Sequence, residues 1–258
     1  MATPSIFTTV INGYLPEPHA SLLNGIIFGT PLKTSRLFYD QLRIVGLLHI
    51  VVLSGMNITI LATIIGTVTR FFSKSISVLL TILTIILFIL FVGPQASIIR
   101  AGLMGIFTLV AMLFGRKDIA LYSLFLSGIF IAIFWPQWLS TISFQLSYGA
   151  TLGIILFGQT KSTSELWKEL KITLAAQVLT VPIILHYFRQ ISLISPLANL
   201  LIAPVIPPLM IFGFLTAILG KIHFALGLLP AYISYGLLSC MVIVVQWLAK
   251  IPFASISF

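Results

Sequence analysis

The sequence predicts an all-α integral membrane protein. It reads as a polytopic bundle of about eight transmembrane helices, with interfacial amphipathic helices at the N-terminus and one proline-broken helix. Three observations predict this class. Of 258 residues, 59% are hydrophobic and only 7% charged. Soluble domains carry roughly 25% charged residues, so this chain has too few to cover a water-facing surface. The mean hydropathy is +1.16. Apolar runs near the ~20 residues that a spanning helix needs recur along the chain.

The first 43 residues form an N-terminal segment without a span, and residues 44–258 form the polytopic part. After Met1 comes ATPSIFTTVINGYLPEPHA, which has neither a basic start nor a long apolar run. It does not read as a cleavable signal peptide, so the later spans are expected to direct insertion. From Leu22, LLNGIIFG sets apolar residues at 22, 23, 26 and 27, one helical stripe. Leu37, Phe38, Leu42 and Val45 make a second stripe after Thr34 and Ser35, either of which suits a helix cap. Both segments read as short helices lying in the membrane interface.

The spans are expected near 44–69, 76–93, 97–114, 119–138, 141–158, 170–188, 197–219 and 231–249. The seventh, SPLANLLIAPVIPPLMIFGFL, contains Pro196, Pro204, Pro207 and Pro208. Each proline removes a backbone donor and clashes with the preceding turn, so a straight helix is not expected. Broken backbone at membrane depth survives against protein or a water-filled cavity, which leaves two readings: a bent packing helix or a cavity lining.

Charge sets orientation. Lys and Arg number 14 against 5 Asp and Glu, a net charge of +9. In a soluble protein this would suggest nucleic acid; here basic loops flanking spans account for it. Loops after the odd-numbered spans hold Arg70, Lys74, Arg116, Lys117, Lys161, Lys168, Lys171 and Lys221. The opposite side holds Lys33, Arg36, Arg43, Arg189 and Lys250. The bias puts both termini outside the cytoplasm.

The acids Glu17, Asp40, Asp118, Glu165 and Glu169 are expected in terminal or loop segments, leaving the spans without a carboxylate. Proton relays and cation-coupled carriers usually place one there. Four scattered histidines and the single Cys240 give no metal-ligand cluster and no internal disulfide. No cofactor and no enzymatic activity are expected.

Against that background, LLHIVVLSGMNITIL carries His49, Ser54, Gly55 and Asn57 inside a membrane-grade run. On a continuous helix His49 and Ser54 would lie about 140° apart, which argues against a catalytic pair unless the helix breaks at Gly55. Ser54 and Asn57 share a face. Arg100, in GPQASIIRAGLMG, is the other costly residue. It either snorkels to the interface or faces a polar interior and meets a phosphate, which its planar fork suits. Gln145, Ser147 and Tyr148 in SFQLSYGA, with Gln177 and Asn199, add uncharged polar groups. They fit either a wettable path or hydrogen-bonded helix packing.

Five stretches in order carry a resemblance: GLLHIVVLSGMNITIL, SIIRAGLMG, LSTISFQLSYGATLGI, LTVPIILHYF and LISPLANLLIAPVIPPL. They resemble the motifs of the ComEC-type competence proteins, with PHASLLNGIIFG similar to the helix before the first motif. The resemblance implies a channel for uptake of single-stranded DNA across the cytoplasmic membrane in natural transformation. By position, His49, Ser54, Gly55, Arg100, Phe144, Gln145, Ser147, Pro182 and Asn199 match the family's motif residues. Asn57 stands where relatives usually carry a second His, which keeps hydrogen bonding and loses titration. The sequence shows only the core membrane domain, without the OB-like and metallo-β-lactamase-like domains of larger relatives. The implied partners are single-stranded DNA, the bilayer, a DNA receptor, a nuclease and a cytoplasmic motor, with a homo-oligomer possible. Two rivals stand beside this reading: a transporter of another polar or anionic solute, and a non-transporting membrane scaffold.

Overall fold

The structure, a computed structural model, describes residues 4–51, 55–116, 119–159, 164–252 and 254–257. Ser54, Lys117, Asp118 and Lys161 lie outside the described residues. In chain order the described helices begin with α1 (Ser5–Tyr14), α2 (His19–Phe28), α3 (Arg36–Val45) and α4 (Leu48–Val51). Next come α5 (Gly55–Val68), α6 (Lys74–Val92), α7 (Ala96–Leu113), α8 (Ala120–Phe134) and α9 (Ile142–Phe157). The last are α10 (Glu165–Phe188), α11 (Ser195–Ile202), α12 (Ile206–Ile222) and α13 (Phe224–Leu248). Two short strands, β1 (Gln190–Ser192) and β2 (Ser255–Ser257), pair antiparallel with Ile191 opposite Ile256.

The protein is an all-α polytopic membrane protein. Among the described residues, five helical runs are long and apolar enough to cross a bilayer: Lys74–Val92, Ala96–Leu113, Leu166–Phe188, Ser195–Ile222 and Phe224–Leu248. Shorter apolar helices are His19–Phe28, Gly55–Val68, Ala120–Phe134 and Ile142–Phe157. On α6, Leu79, Leu83 and Leu90 face outward at 60%, 52% and 70% exposure. Such apolar surface is stable only against lipid or protein.

The chain divides into two compact units, Met1–Leu53 with Phe188–Phe258, and Ser54–Tyr187. In the first unit α2 is the centre. Both expected N-terminal helices form, but α2 departs from the expected single apolar stripe: all ten of its residues are buried. Its hydrophobic residues alternate with Ser21 and Asn24, whose hydrogen bonds let polar positions face protein too. The Ser21 hydroxyl accepts from the Lys33 N–H, and the Asn24 amide donates to Asn12 Oδ1 at 2.8 Å. By contrast α3 has the expected one-sided pattern, with Phe38, Leu42 and Val45 buried and Leu37 exposed. Ser35 caps it by accepting from the Phe38 N–H.

Gly46 ends α3 in the left-handed region at φ 78°, where a side chain would press on Ser192 and Ser195. The proline-rich run is broken as expected: α11 passes through a 3₁₀ turn at Ala203–Val205 before α12 begins. Pro204 lies in that turn, and Pro207 and Pro208 open α12, where a missing N–H costs little. The strand pair had no sequence signal, because three residues are too few to show a period.

In the second unit α7 packs against α5, α6, α8 and α9. Ser73 caps α6 and Thr141 caps α9, each accepting a backbone N–H three residues on. Here α10 starts at Glu165, earlier than the expected span, so Glu165 and Glu169 lie in its opening turns rather than in a loop.

Candidate functional site

Arg100 lies near the start of α7 and is only 8% exposed. The interior reading therefore holds over snorkelling. Its Nε–H donates to Ser147 Oγ on α9 at 2.8 Å, and its Nη1 donates to Met104 Sδ at 3.4 Å. The third side of the guanidinium meets α5. A Cβ on Gly55 would stand 2.6 Å from Arg100 Nη2 and 3.0 Å from Ala101 Cβ, so only glycine leaves the fork its place. An arginine at mid-span costs about 2.5–3.5 kcal/mol on insertion scales. Two hydrogen bonds to neutral acceptors offset part of that, and neither acceptor carries a charge. A buried cation held this way is suited to an anion.

Next to Ser147, Tyr148 reaches α8. Its hydroxyl lies 2.8 Å from Ser127 Oγ, and Ser127 donates its own proton to the Leu124 carbonyl at 2.7 Å. Tyr148 is therefore the donor in this pair. One helical turn back, Phe144 stacks on Tyr148 with ring centroids 4.1 Å apart and planes at 26°. Phe144, Gln145, Ser147 and Tyr148 are all half-buried. Asn57, on α5, is 1% exposed. The second unit thus brings together Gly55, Arg100, Ser147, Tyr148 and Phe144 across three helices.

Other expected positions fall elsewhere. His49 belongs to α4 in the first unit, where it is exposed and its Nδ1 lies 2.9 Å from the Gly46 carbonyl. A carbonyl only accepts, so Nδ1 carries the proton and the neutral ring keeps Nε2 as an acceptor. Asn199, on α11, is half-buried and its Oδ1 is enclosed without a hydrogen-bond partner. Pro182 sits inside α10 and is exposed. Ser54 lies outside the described residues.

Sequence reasoning missed Met104 and Ser127. Met104 follows Arg100 by four residues, the spacing that stacks side chains on one helix face. Ser127 interrupts LYSLFLSGIFIAIF, where a hydroxyl among so many apolar groups signals a partner across a helix interface.

The sequence profile described as "Competence protein" matches residues 26–258. The chain belongs to the competence protein family. Among its relatives, ComE operon protein 3 of Bacillus subtilis (strain 168) is 27% identical over 199 residues, 75% of this chain and 25% of that protein. An uncharacterized protein of Aquifex aeolicus (strain VF5) is 27% identical over 191 residues, 72% of this chain and 43% of that one. The chain thus spans about a quarter and under half of the lengths of these two relatives. No solved structure matches.

Proposed function

We propose that this competence-family chain is a channel for uptake of single-stranded DNA across the cytoplasmic membrane. The observation that carries the proposal is Arg100, a buried cation on α7 whose two hydrogen-bond acceptors are neutral. In this reading Arg100 draws a phosphate, the Phe144–Tyr148 stack offers a face to a base, and Gln145 makes transient hydrogen bonds. His49, Ser54, Pro182 and Asn199 are the further family-motif positions we assign to the same function. Weak, repeated contacts suit passage, since tight binding would stop the strand. The chain works without enzymatic activity of its own, alongside a DNA receptor, a nuclease and a cytoplasmic motor. Both termini lie outside the cytoplasm, following the distribution of Lys and Arg.

Labelled DNA supplied to cells with and without the gene tests the function, and equal uptake by both would end the proposal. The orientation has its own test. With Cys240, which is exposed, replaced by Ser, single cysteines at Ser162 and Ser257 should label from opposite sides of the membrane. Labelling from one side would overturn the topology.

A second reading, transport of another anionic solute, fits the same buried cation at Arg100. It predicts normal DNA uptake in the deletion strain and loss of the solute.

A further inference from the structure

A second basic site lies within the Ser54–Tyr187 unit, away from Arg100. At the far end of α5, the α5–α6 turn and the end of α7 enclose a cavity of about 390 Å³. Arg70 and Lys74 line it, and among the described residues no carboxylate does. Arg70 is steadied over the Phe71 ring, with its guanidinium carbon 5.0 Å from the centroid. Two hydroxyls also face the cavity, but their protons are committed. Thr81 donates to the Ser77 carbonyl at 2.8 Å. Thr69 donates to the Ile65 carbonyl, so the Ser77 hydroxyl is the donor in its 2.7 Å bond to Thr69. An anion here would therefore be held by the two cations.

The remaining lining is apolar. Ala62, Leu109 and Met112 continue the cavity along the helices, and Gly66 leaves its floor open, with nothing within 4 Å of where a Cβ would stand. Phe72, which also lines it, is 58% exposed, and its neighbour Phe71 83%. Exposed aromatics beside a basic pair at the end of apolar helices mark the level of the lipid headgroups. A nucleic-acid strand would gain from the cations and could stack a base on Phe72, but it would leave the aliphatic wall of Ala62, Leu109 and Met112 unused. A phospholipid uses both, its phosphate on the cations and its acyl chain on the wall.

We propose that the cavity between α5, α6 and α7 binds the headgroup of an anionic phospholipid through Arg70 and Lys74. The purified full-length protein in detergent would be incubated with phosphatidylglycerol or phosphatidylcholine, and retained lipid read by native mass spectrometry. Phosphatidylglycerol should be retained in preference to phosphatidylcholine. Removing two interfacial cations in Arg70→Ala/Lys74→Ala should lower its retention by about 10- to 30-fold. Gly66→Leu keeps every charge and fills the floor, and should lower retention as well. Arg36→Ala/Arg43→Ala, which removes the same charge from α3, should retain the lipid as the unmodified protein does. Full retention by Gly66→Leu, or equal losses in the two double variants, would overturn the site. So would a single-stranded oligonucleotide that loses its binding in Arg70→Ala/Lys74→Ala while phosphatidylglycerol stays bound.

Discussion

Leu23 on α2 and Arg100 on α7 are both buried, for opposite reasons. Around Leu23 the first unit is closed by apolar contact, with Leu22, Leu23, Ile26 and Ile27 each at 0% exposure. Around Arg100 the second unit is closed by a fork held on Ser147 and Met104 and by the missing side chain of Gly55. Apolar burial asks only for volume and is tolerant of exact chemistry. Burying a guanidinium asks for acceptors at fixed positions, and the insertion cost it carries has to be matched by some use. The comparison sets apolar closure in the first unit against a buried cation in the second, the group we propose handles an anion.

That division can be broken by mutation. The largest effect on assembly is expected from Leu23→Ala, which leaves a cavity costing about 2–5 kcal/mol. The amount of inserted protein, read by quantitative blotting of membranes, should fall, with uptake per inserted molecule unchanged. In the second unit Gly55→Ala should do the reverse. Its methyl group would displace the guanidinium, and loss of a charged hydrogen bond corresponds to about a tenfold effect. Insertion should stay near normal while DNA uptake per molecule drops by about that factor. If Gly55→Ala lowers only the amount of protein, the Arg100 cluster is packing and the comparison fails.

Two smaller changes sharpen it. Tyr148→Phe removes the bond to Ser127 and keeps the stack with Phe144, so stability in thermal melts should fall by about 1 kcal/mol. Uptake per molecule should hold, because the aromatic face remains. Asn57→His restores the residue that relatives usually carry, and both insertion and uptake should stay within about twofold of the starting protein.

Much of the fold was legible in the sequence, because membrane helices are written in long apolar runs. The expected spans at 76–93 and 97–114 correspond closely to Lys74–Val92 and Ala96–Leu113. The break in the proline-rich run was legible too, since a missing N–H acts locally. The all-round burial of α2 was not. Its stripe at 22, 23, 26 and 27 says which face is most apolar, but the partners of Ser21 and Asn24 lie at Lys33 and Asn12, and tertiary contact alone supplies them. The site shows the same limit. Arg100 and Ser147 were visible as costly residues, whereas their hydrogen bond spans 47 positions and has no local signature. Met104 and Ser127 escaped because a methionine or a single serine in an apolar run usually does nothing more than pack.

The central claim is that Arg100 acts on the translocated strand rather than on the assembly of the helices. Uptake of labelled single-stranded DNA, divided by the amount of inserted protein, tests it most directly in Arg100→Ala and, as its companion from the first unit, His49→Ala. The account predicts that both variants insert as the starting protein does and that uptake per inserted molecule falls. Unchanged uptake per molecule in Arg100→Ala would contradict it and leave that side chain as a packing contact.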